Sequence, residues 1–183
     1  MEEKVEAKDK KTIVLIGMMG AGKTTTGFNL AQRLNLKFVD SDFIIEKNEG
    51  KDVTAIFDEK GEKYFHDMEK GIITDILNSN KPQILSIGGN SYDDEEIRRL
   101  IKQKAVSIFL EVEYNVLLER VKRKNTRPLL ENGDKAEILK EIFDKKISVY
   151  QEADIVINTT YLNKETSLNV IINSITQYIK NNT

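Results

Sequence analysis

Short apolar runs alternate along the chain with longer amphipathic segments. The runs, mostly of β-branched and aromatic residues, predict five strands, at residues 12–16, 37–40, 83–87, 105–110 and 155–158. The first run is apolar at nearly every position, which is typical of a parallel strand buried between helices on both faces. Strands that alternate with helical segments indicate an α/β fold with a parallel sheet.

The segments between the runs have apolar residues three and four positions apart, and they predict helices. The first helix begins near Lys23 and ends at Leu34. Residues 42–81 are predicted to be mostly helical, with breaks near Gly50 and Gly61. Because these helices come between the second and third strands, we expect them to form a flap over one edge of the sheet. Later helices are predicted from Asp93 onward and at residues 114–122, 135–152 and 167–180.

Length and composition limit the class of protein. A chain of 183 residues that is 39% hydrophobic can bury one core, so we expect a single domain at residues 12–183 after a frayed tail at residues 1–11. The net charge of −2 gives no sign of nucleic-acid binding, and the lack of cysteine excludes disulfides and thiolate metal sites. No apolar run approaches a membrane span, and the N-terminus shows no apolar signal segment. We expect a cytoplasmic monomer that binds neither nucleic acid nor membrane.

A glycine-rich stretch between the first strand and the first helix carries the strongest chemical signal. Gly17, Gly22, Lys23 and Thr24 fit the phosphate-binding pattern GxxxxGK[ST]. Glycines let backbone amides approach phosphates, the helix start directs its dipole at them, Lys23 reaches β and γ oxygens, and Thr24 can hold Mg²⁺. The strand and helix on either side disfavour a chance glycine turn. The residues predicted to cradle the phosphates of ATP are Gly20, Ala21, Gly22, Lys23, Thr24 and Thr25.

Two carboxylates follow the second predicted strand. Right-handed βαβ geometry returns the end of that strand to the edge of the sheet that carries the phosphate loop, so Asp40 and Asp42 are expected beside the γ-phosphate. One carboxylate can hold Mg²⁺, and the other can accept a proton from an attacking hydroxyl. The alternative is structural, with Asp42 capping the next helix and Asp40 ending the strand.

Two further segments each follow a predicted strand, and their residues alone do not indicate a single function. Gly88 and Gly89 end the third strand, where they would let a ligand approach the backbone, although a plain turn is the alternative. A basic stretch from Arg120 to Arg127 comes after the fourth strand. Such a stretch is typical of a solvated surface or a nucleic-acid patch, and a phosphate contact is the alternative.

The motifs together carry a family resemblance. In order, GMMGAGKTT, VDSD, IFDEKGEKYFHDMEK, ILSIGGN and NTRPLL resemble the shikimate kinase family over about residues 11–158. The resemblance implies a three-layer P-loop kinase fold with a five-stranded parallel sheet, related to nucleoside monophosphate kinases. It also implies a helical acceptor-binding flap at about residues 42–81 and a mobile lid at about residues 122–135. The implied reaction is ATP-dependent phosphorylation of the 3-hydroxyl of shikimate.

The resemblance implies roles for single residues on the phosphate side. Asp42 orients the acceptor hydroxyl and takes its proton, and Thr24 with Asp40 holds Mg²⁺. Lys23 and Arg127 stabilise the transferring phosphoryl group, with Arg127 acting from the lid. Arg120 matches an arginine near the adenine, although an exposed helix residue without a role is the alternative.

The acceptor side resembles the family less closely. Gly88 and Gly89 match residues that line the acceptor pocket, but Asn90 replaces the third glycine of a GGG motif. The two arginines that hold the acceptor's carboxylate in the family are replaced by His66 and Lys146. Each loss of a charge-assisted bond costs roughly 1.5 to 3 kcal/mol.

Three interpretations of these replacements remain. The site has adapted and binds shikimate with Lys146 and a protonated His66, or it takes a different polyol or cyclitol acid. In the third, the protein is a catalytically degenerate regulatory protein that retains only nucleotide binding.

Overall fold

The computed structural model describes residues 11–123 and 134–182. Its sheet has five strands, and every neighbouring pair is parallel. The strands lie in the order β2-β3-β1-β4-β5, which puts β1 at the centre. Their bounds are Thr12–Ile16 for β1, Lys37–Asp40 for β2, Gln83–Ser86 for β3, Ala105–Glu111 for β4 and Ile155–Asn158 for β5. The predicted parallel five-stranded sheet is confirmed.

Seven α-helices lie in the described part of the chain. They are α1 (Lys23–Leu34), α2 (Ser41–Glu49), α3 (Val53–Asn78), α4 (Glu95–Lys104), α5 (Tyr114–Lys122), α6 (Lys135–Tyr150) and α7 (Lys164–Asn181). A 3₁₀ turn at Ser91–Asp93 precedes α4. The helix predicted from Asp93 therefore begins two residues later, because Asp94 is its N-cap and accepts from the amides of Glu96 and Ile97.

The core lies between the sheet and two helix layers. Every residue of β1 is buried, as expected for a central parallel strand. Helix α1 packs with α7, and α3 packs with α4, so each face of the sheet is covered. None of the helices in the described ranges is long and apolar enough to cross a membrane.

The helices between β2 and β3 form a unit with a core of its own. Both predicted breaks occur where a glycine has a left-handed backbone: Gly50 ends α2 at a φ of 67°, and Gly61 bends α3 at a φ of 83°. Buried Ile45 of α2 packs against Ile56 and Phe65 of α3. This small cluster holds the two helices together beside the main sheet.

Parallel pairing decides where the candidate site residues meet. The carboxyl ends of β1, β2 and β3 lie at one edge of the sheet, and they lead into Gly17, Ser41 and Ile87. The phosphate loop, the Asp40 region and the Gly88 turn therefore share that edge. Most of the predicted lid at residues 122–135, including Arg127, and all but the last residue of the predicted tail at residues 1–11 lie outside the described residues.

Candidate active site

The loop between β1 and α1 has the backbone that phosphate binding requires. Gly22 precedes α1 with a φ of 91°, a left-handed conformation that residues with a side chain rarely adopt. At Gly17 a Cβ atom would lie 2.9 Å from the carbonyl oxygen of Leu110. The amide of Ala21 donates to the carbonyl of Met18 at 3.1 Å, which closes the loop over the start of the helix. Backbone conformation and close packing thus explain the glycines at positions 17 and 22.

Two cationic side chains lie against this loop. Lys23 Nζ donates to the carbonyl oxygens of Gly17 at 2.9 Å and Met18 at 3.3 Å. Arg120, on α5, donates from Nη1 to the carbonyl oxygen of Gly20 at 3.1 Å. The structure therefore brings Arg120 to the phosphate loop from a position 100 residues away in sequence. Both cations can offset the charge of phosphates bound at the loop.

Asp40 connects the loop to the end of β2. Its Oδ2 accepts a 2.9 Å hydrogen bond from the Thr24 hydroxyl, and its Oδ1 accepts from the Asp42 amide at 3.2 Å. Asp40 is the N-cap of α2, so the alternative in which Asp42 caps this helix is wrong. Asp42 lies in the first turn of α2 and lines the cavity described below.

The Thr24 and Asp40 oxygens fit a magnesium ion. Mg²⁺ is bound through oxygen, usually by one or two protein groups together with phosphate oxygens and water. A hydroxyl and a carboxylate 2.9 Å apart beside Lys23 form such a donor set. Within residues 11–123 and 134–182 no group of three or more His, Cys, Asp or Glu side chains could hold a metal ion by itself.

A buried carboxylate joins the flap to the sheet. Glu69 of α3 is fully buried, and its Oε1 accepts from the Ser41 hydroxyl at 2.6 Å and from the Gly88 amide at 2.7 Å. A Cβ atom at Gly88 would lie 2.8 Å from this oxygen, so glycine is required for the close approach. Glu69 thereby fixes the position of the glycine turn relative to α2 and α3.

Sequence reasoning assigned no role to Glu69, although a signal was present. On α3, Phe65, Glu69, Ile73 and Leu77 recur every fourth residue, and all four are buried. A carboxylate in an apolar stripe of a helix is unusual, since burying a charge requires hydrogen-bond partners. Such a position indicates a residue with a specific partner elsewhere in the fold.

Helix α6 reaches the same glycine turn from the other side. The buried Tyr150 donates from its hydroxyl to the carbonyl oxygen of Gly89 at 2.6 Å, and Lys146 Nζ donates to that oxygen at 3.1 Å. Lys146 also forms an ion pair with Asp93, at the end of the 3₁₀ turn. Burial, with smaller effects from the charges of Asp93 and Glu69, raises the pKa of Tyr150 above its usual value. The phenol therefore remains a donor at neutral pH.

His66 lies in a polar cluster at the opposite wall. Its Nε2 is 3.2 Å from Glu62 Oε1 and 3.1 Å from Asn90 Nδ2, and Asn90 Nδ2 also donates to Glu62 Oε1 at 3.0 Å. On the other side of the ring, Nδ1 lies 4.0 Å from Glu69 Oε2. His66 and Asn90, which both depart from the motifs of the family resemblance, therefore contact each other.

One cavity of about 1090 Å³ contains both halves of the site. Its phosphate end is lined by Lys23, Thr24, Asp40 and Asp42, and its acceptor end by His66, Glu69, Gly88, Gly89, Asn90 and Lys146. A nucleotide's phosphates and a small second substrate can therefore meet in the same space. The structure brings together all the described residues that the sequence assigned to acceptor and metal binding.

A phosphate loop on a parallel sheet, in a cavity shared with a carboxylate at the end of the next strand, defines a P-loop phosphotransferase. A family model described as "Shikimate kinase" matches residues 19–176. The chain belongs to the shikimate kinase family.

Relatives cover most of the chain. A shikimate kinase of Ruegeria pomeroyi is 41% identical over 145 residues, which are 79% of this chain and 74% of the relative. A shikimate kinase of Persephonella marina is 43% identical over 149 residues, or 81% of this chain and 89% of the relative. The family resemblance predicted from sequence motifs is therefore confirmed.

Solved structures agree with this assignment. A shikimate kinase from Acinetobacter baumannii, described as a complex with shikimate, superposes with a TM-score of 0.87 at 30% identity and covers 92% of this chain and 94% of that one. A gluconokinase from Sinorhizobium meliloti superposes with a TM-score of 0.57 at 14% identity over 94% of this chain and 95% of that one, which supports the fold alone. The three-layer P-loop kinase fold is confirmed.

Proposed function

We propose that the protein transfers the γ-phosphoryl group of ATP to the 3-hydroxyl of shikimate. The observation that carries this proposal is the single cavity lined by phosphate-loop residues at one end and by His66, Asn90 and Lys146 at the other. The solved relative from Acinetobacter baumannii is described as a complex with shikimate, which supports the same acceptor here.

On the donor side, the loop residues hold the polyphosphate. Backbone amides of residues 20–25 and the start of α1 face the phosphates, and Lys23 Nζ can exchange the Gly17 carbonyl for a phosphate oxygen. Thr24 and Asp40 would hold Mg²⁺, which neutralises phosphate charge when it is bound. Arg120 stabilises the loop through Gly20 and is available to the nucleotide. Arg127, outside the described residues, is proposed to contact the γ-phosphate from the lid.

On the acceptor side, Asp42 is the proposed base. It lines the cavity beside Asp40, and a carboxylate there can accept the proton of the attacking hydroxyl. In the transfer, the hydroxyl oxygen loses its proton to Asp42 and forms the new bond to phosphorus, while the bond from phosphorus to the ADP oxygen breaks. Gly88 and Gly89 line the wall against which the acceptor binds.

The acceptor's carboxylate requires donors at the far end of the cavity. The sequence resemblance implies that Lys146 and His66 stand where the family has two arginines. Both residues line the cavity, and the Asn90 amide lies beside His66. We propose that these side chains together bind the carboxylate. Their individual bonds are weaker than those of a guanidinium fork, because an ammonium or imidazole cannot make two parallel bonds to one carboxylate.

The same residues favour a second candidate function, a kinase for another polyol or cyclitol acid. The observation behind it is that the Lys146 ammonium is already paired with Asp93, which reduces the positive charge offered to a carboxylate. We propose that the protein acts as a cytoplasmic monomer, since the described residues of the site form one cavity within a single chain.

An assay of ADP release with shikimate, and with a panel of neutral and acidic polyols, tests these functions. Turnover with shikimate supports the proposal, and turnover with only another acceptor would replace shikimate as the substrate. ATP binding without turnover of any acceptor would favour a degenerate regulatory protein.

A further inference from the structure

The ion pair between Lys146 and Asp93 was not expected from the sequence. Lys146 is on α6 and Asp93 is in the 3₁₀ turn after β3, 53 residues earlier. The Lys146 side chain is 10% exposed, whereas that of Asp93 is 42% exposed. The ammonium is therefore nearly buried, whereas its counter-ion is partly exposed to solvent.

Lys146 and Asp93 differ in their relation to the cavity. Lys146 and Gly89 are among the residues that line the cavity, whereas Asp93 is not. An ammonium has three donors, and those of Lys146 already meet the Gly89 carbonyl and the Asp93 carboxylate. At most one donor therefore remains for a ligand in the cavity. The positive charge of the ammonium is already balanced by the Asp93 carboxylate.

His66, the other described side chain proposed to bind the acceptor's carboxylate, also has acidic neighbours. His66 is flanked by two carboxylates, Glu62 at 3.2 Å and Glu69 at 4.0 Å. Lys146 and His66, the two side chains proposed to bind the carboxylate, therefore each have an acidic neighbour. Like charges near a binding carboxylate weaken its binding and favour a neutral competitor.

We propose that Asp93 is a specificity-determining residue of the acceptor site: as the counter-ion of Lys146, it weakens the binding of anionic acceptors relative to neutral ones. This inference rests on the proposed function, in which Lys146 contacts the acceptor. Asp93 acts through Lys146 and has no contact with the acceptor itself. Its removal should therefore change the preference between charged and neutral acceptors and leave ATP binding unchanged.

The test is Asp93→Asn, because asparagine keeps an oxygen that can accept from Lys146 but removes the charge. Calorimetry measures the dissociation constants of shikimate and of its uncharged carboxamide, for the natural protein and for the Asp93→Asn variant. We expect shikimate to bind about tenfold more tightly, which corresponds to about 1.4 kcal/mol, while the carboxamide changes less than about twofold. Asp93→Ser serves as a second variant if the asparagine protein is unstable to heat.

Two controls separate charge from structure. Glu95→Gln removes an equally negative, exposed side chain two residues along the chain, whose partner is Arg99, and should leave both dissociation constants unchanged. In a Lys146→Met background, Asp93→Asn should no longer tighten shikimate binding. An equal effect on shikimate and the carboxamide would show that Asp93 acts on the shape of the site and would overturn the proposal.

The outcomes distinguish this inference from the proposed function. Absence of shikimate turnover by the natural protein would refute the function, whereas the binding measurements would still report on Asp93. If Asp93→Asn leaves shikimate binding unchanged or weaker, the inference fails even when turnover is normal.

Discussion

The Thr24 hydroxyl donates a 2.9 Å hydrogen bond to Asp40 Oδ2. This bond joins the first turn of α1 to the end of β2, two elements that are neighbours only because the strands are parallel. Asp40 also caps α2 through its other oxygen, so one side chain has both a structural and a proposed metal-binding task.

Asp40→Asn separates these two tasks. Asparagine caps helices as well as aspartate does, so the free energy of unfolding should change by less than about 0.5 kcal/mol. The lost carboxylate charge should raise the Mg²⁺ concentration for half-maximal turnover about tenfold or more. Turnover measured against Mg²⁺ at saturating ATP checks this. An unchanged Mg²⁺ dependence would remove Asp40 from the proposed metal site.

Asp42→Asn tests the proposed base. An amide cannot take the proton of the hydroxyl, so the turnover number should fall about 10²- to 10⁴-fold. The dissociation constant of ATP should change less than about twofold, because Asp42 is proposed to act on the acceptor. Single-turnover kinetics together with ATP titration measure both effects. Normal turnover would show that another group accepts the proton.

Gly88→Ala tests the junction between Gly88 and Glu69. The new Cβ atom would meet Glu69 Oε1 at 2.8 Å, and the carboxylate cannot move far because Ser41 also holds it. We expect a loss of about 1 to 3 kcal/mol of stability and a raised Michaelis constant for the acceptor. Denaturant unfolding and steady-state kinetics measure these.

Gly71→Ala is the matched control for that variant. Gly71 lies within α3, and a Cβ atom there would meet no atom within 4 Å. Alanine should therefore stabilise the helix by about 0.5 to 1 kcal/mol. Equal destabilisation by both substitutions would contradict the proposed role of the Glu69 contact.

Lys146→Arg tests whether this position binds a carboxylate. A guanidinium has five donors, so it can satisfy Gly89 and Asp93 and still present a fork to the cavity. We expect a Michaelis constant for shikimate that is several-fold lower, with that for ATP unchanged. No effect, or a loss of binding, would indicate that the acceptor end has been rebuilt around lysine for another ligand.

A pH-dependent contribution to stability is expected at Asp94. The Lys70 ammonium, assisted by the amides of Ile97 and Glu96, lowers the pKa of the Asp94 carboxyl. A lowered pKa stabilises the fold above the unfolded-state pKa, and this contribution is lost as the pH falls through the folded-state pKa. Because the pair is partly exposed, we expect Asp94→Asn to cost under about 1 kcal/mol at pH 7. Denaturant unfolding should show this difference disappearing in acid; a constant difference would contradict it.

The order of strands and helices, the phosphate loop and the kinase family were predictable from local patterns. The GxxxxGK[ST] motif is read from adjacent residues, and its strand and helix follow from apolar spacing. Parallel topology then placed Asp40 beside Thr24 with no further information, because βαβ units have one hand. The helix breaks at Gly50 and Gly61 were also predictable, because each is a glycine within a segment of helical apolar spacing.

The contacts at the acceptor end depended on tertiary structure. The sequence resemblance implied that His66, Asn90 and Lys146 replace family residues. It could not show that His66 contacts Asn90 or that Lys146 pairs with Asp93. These partners are 24 and 53 residues apart, and such pairing depends on how helices dock onto the sheet. Local propensity determines the elements, whereas only packing determines which charges neutralise one another within the cavity wall.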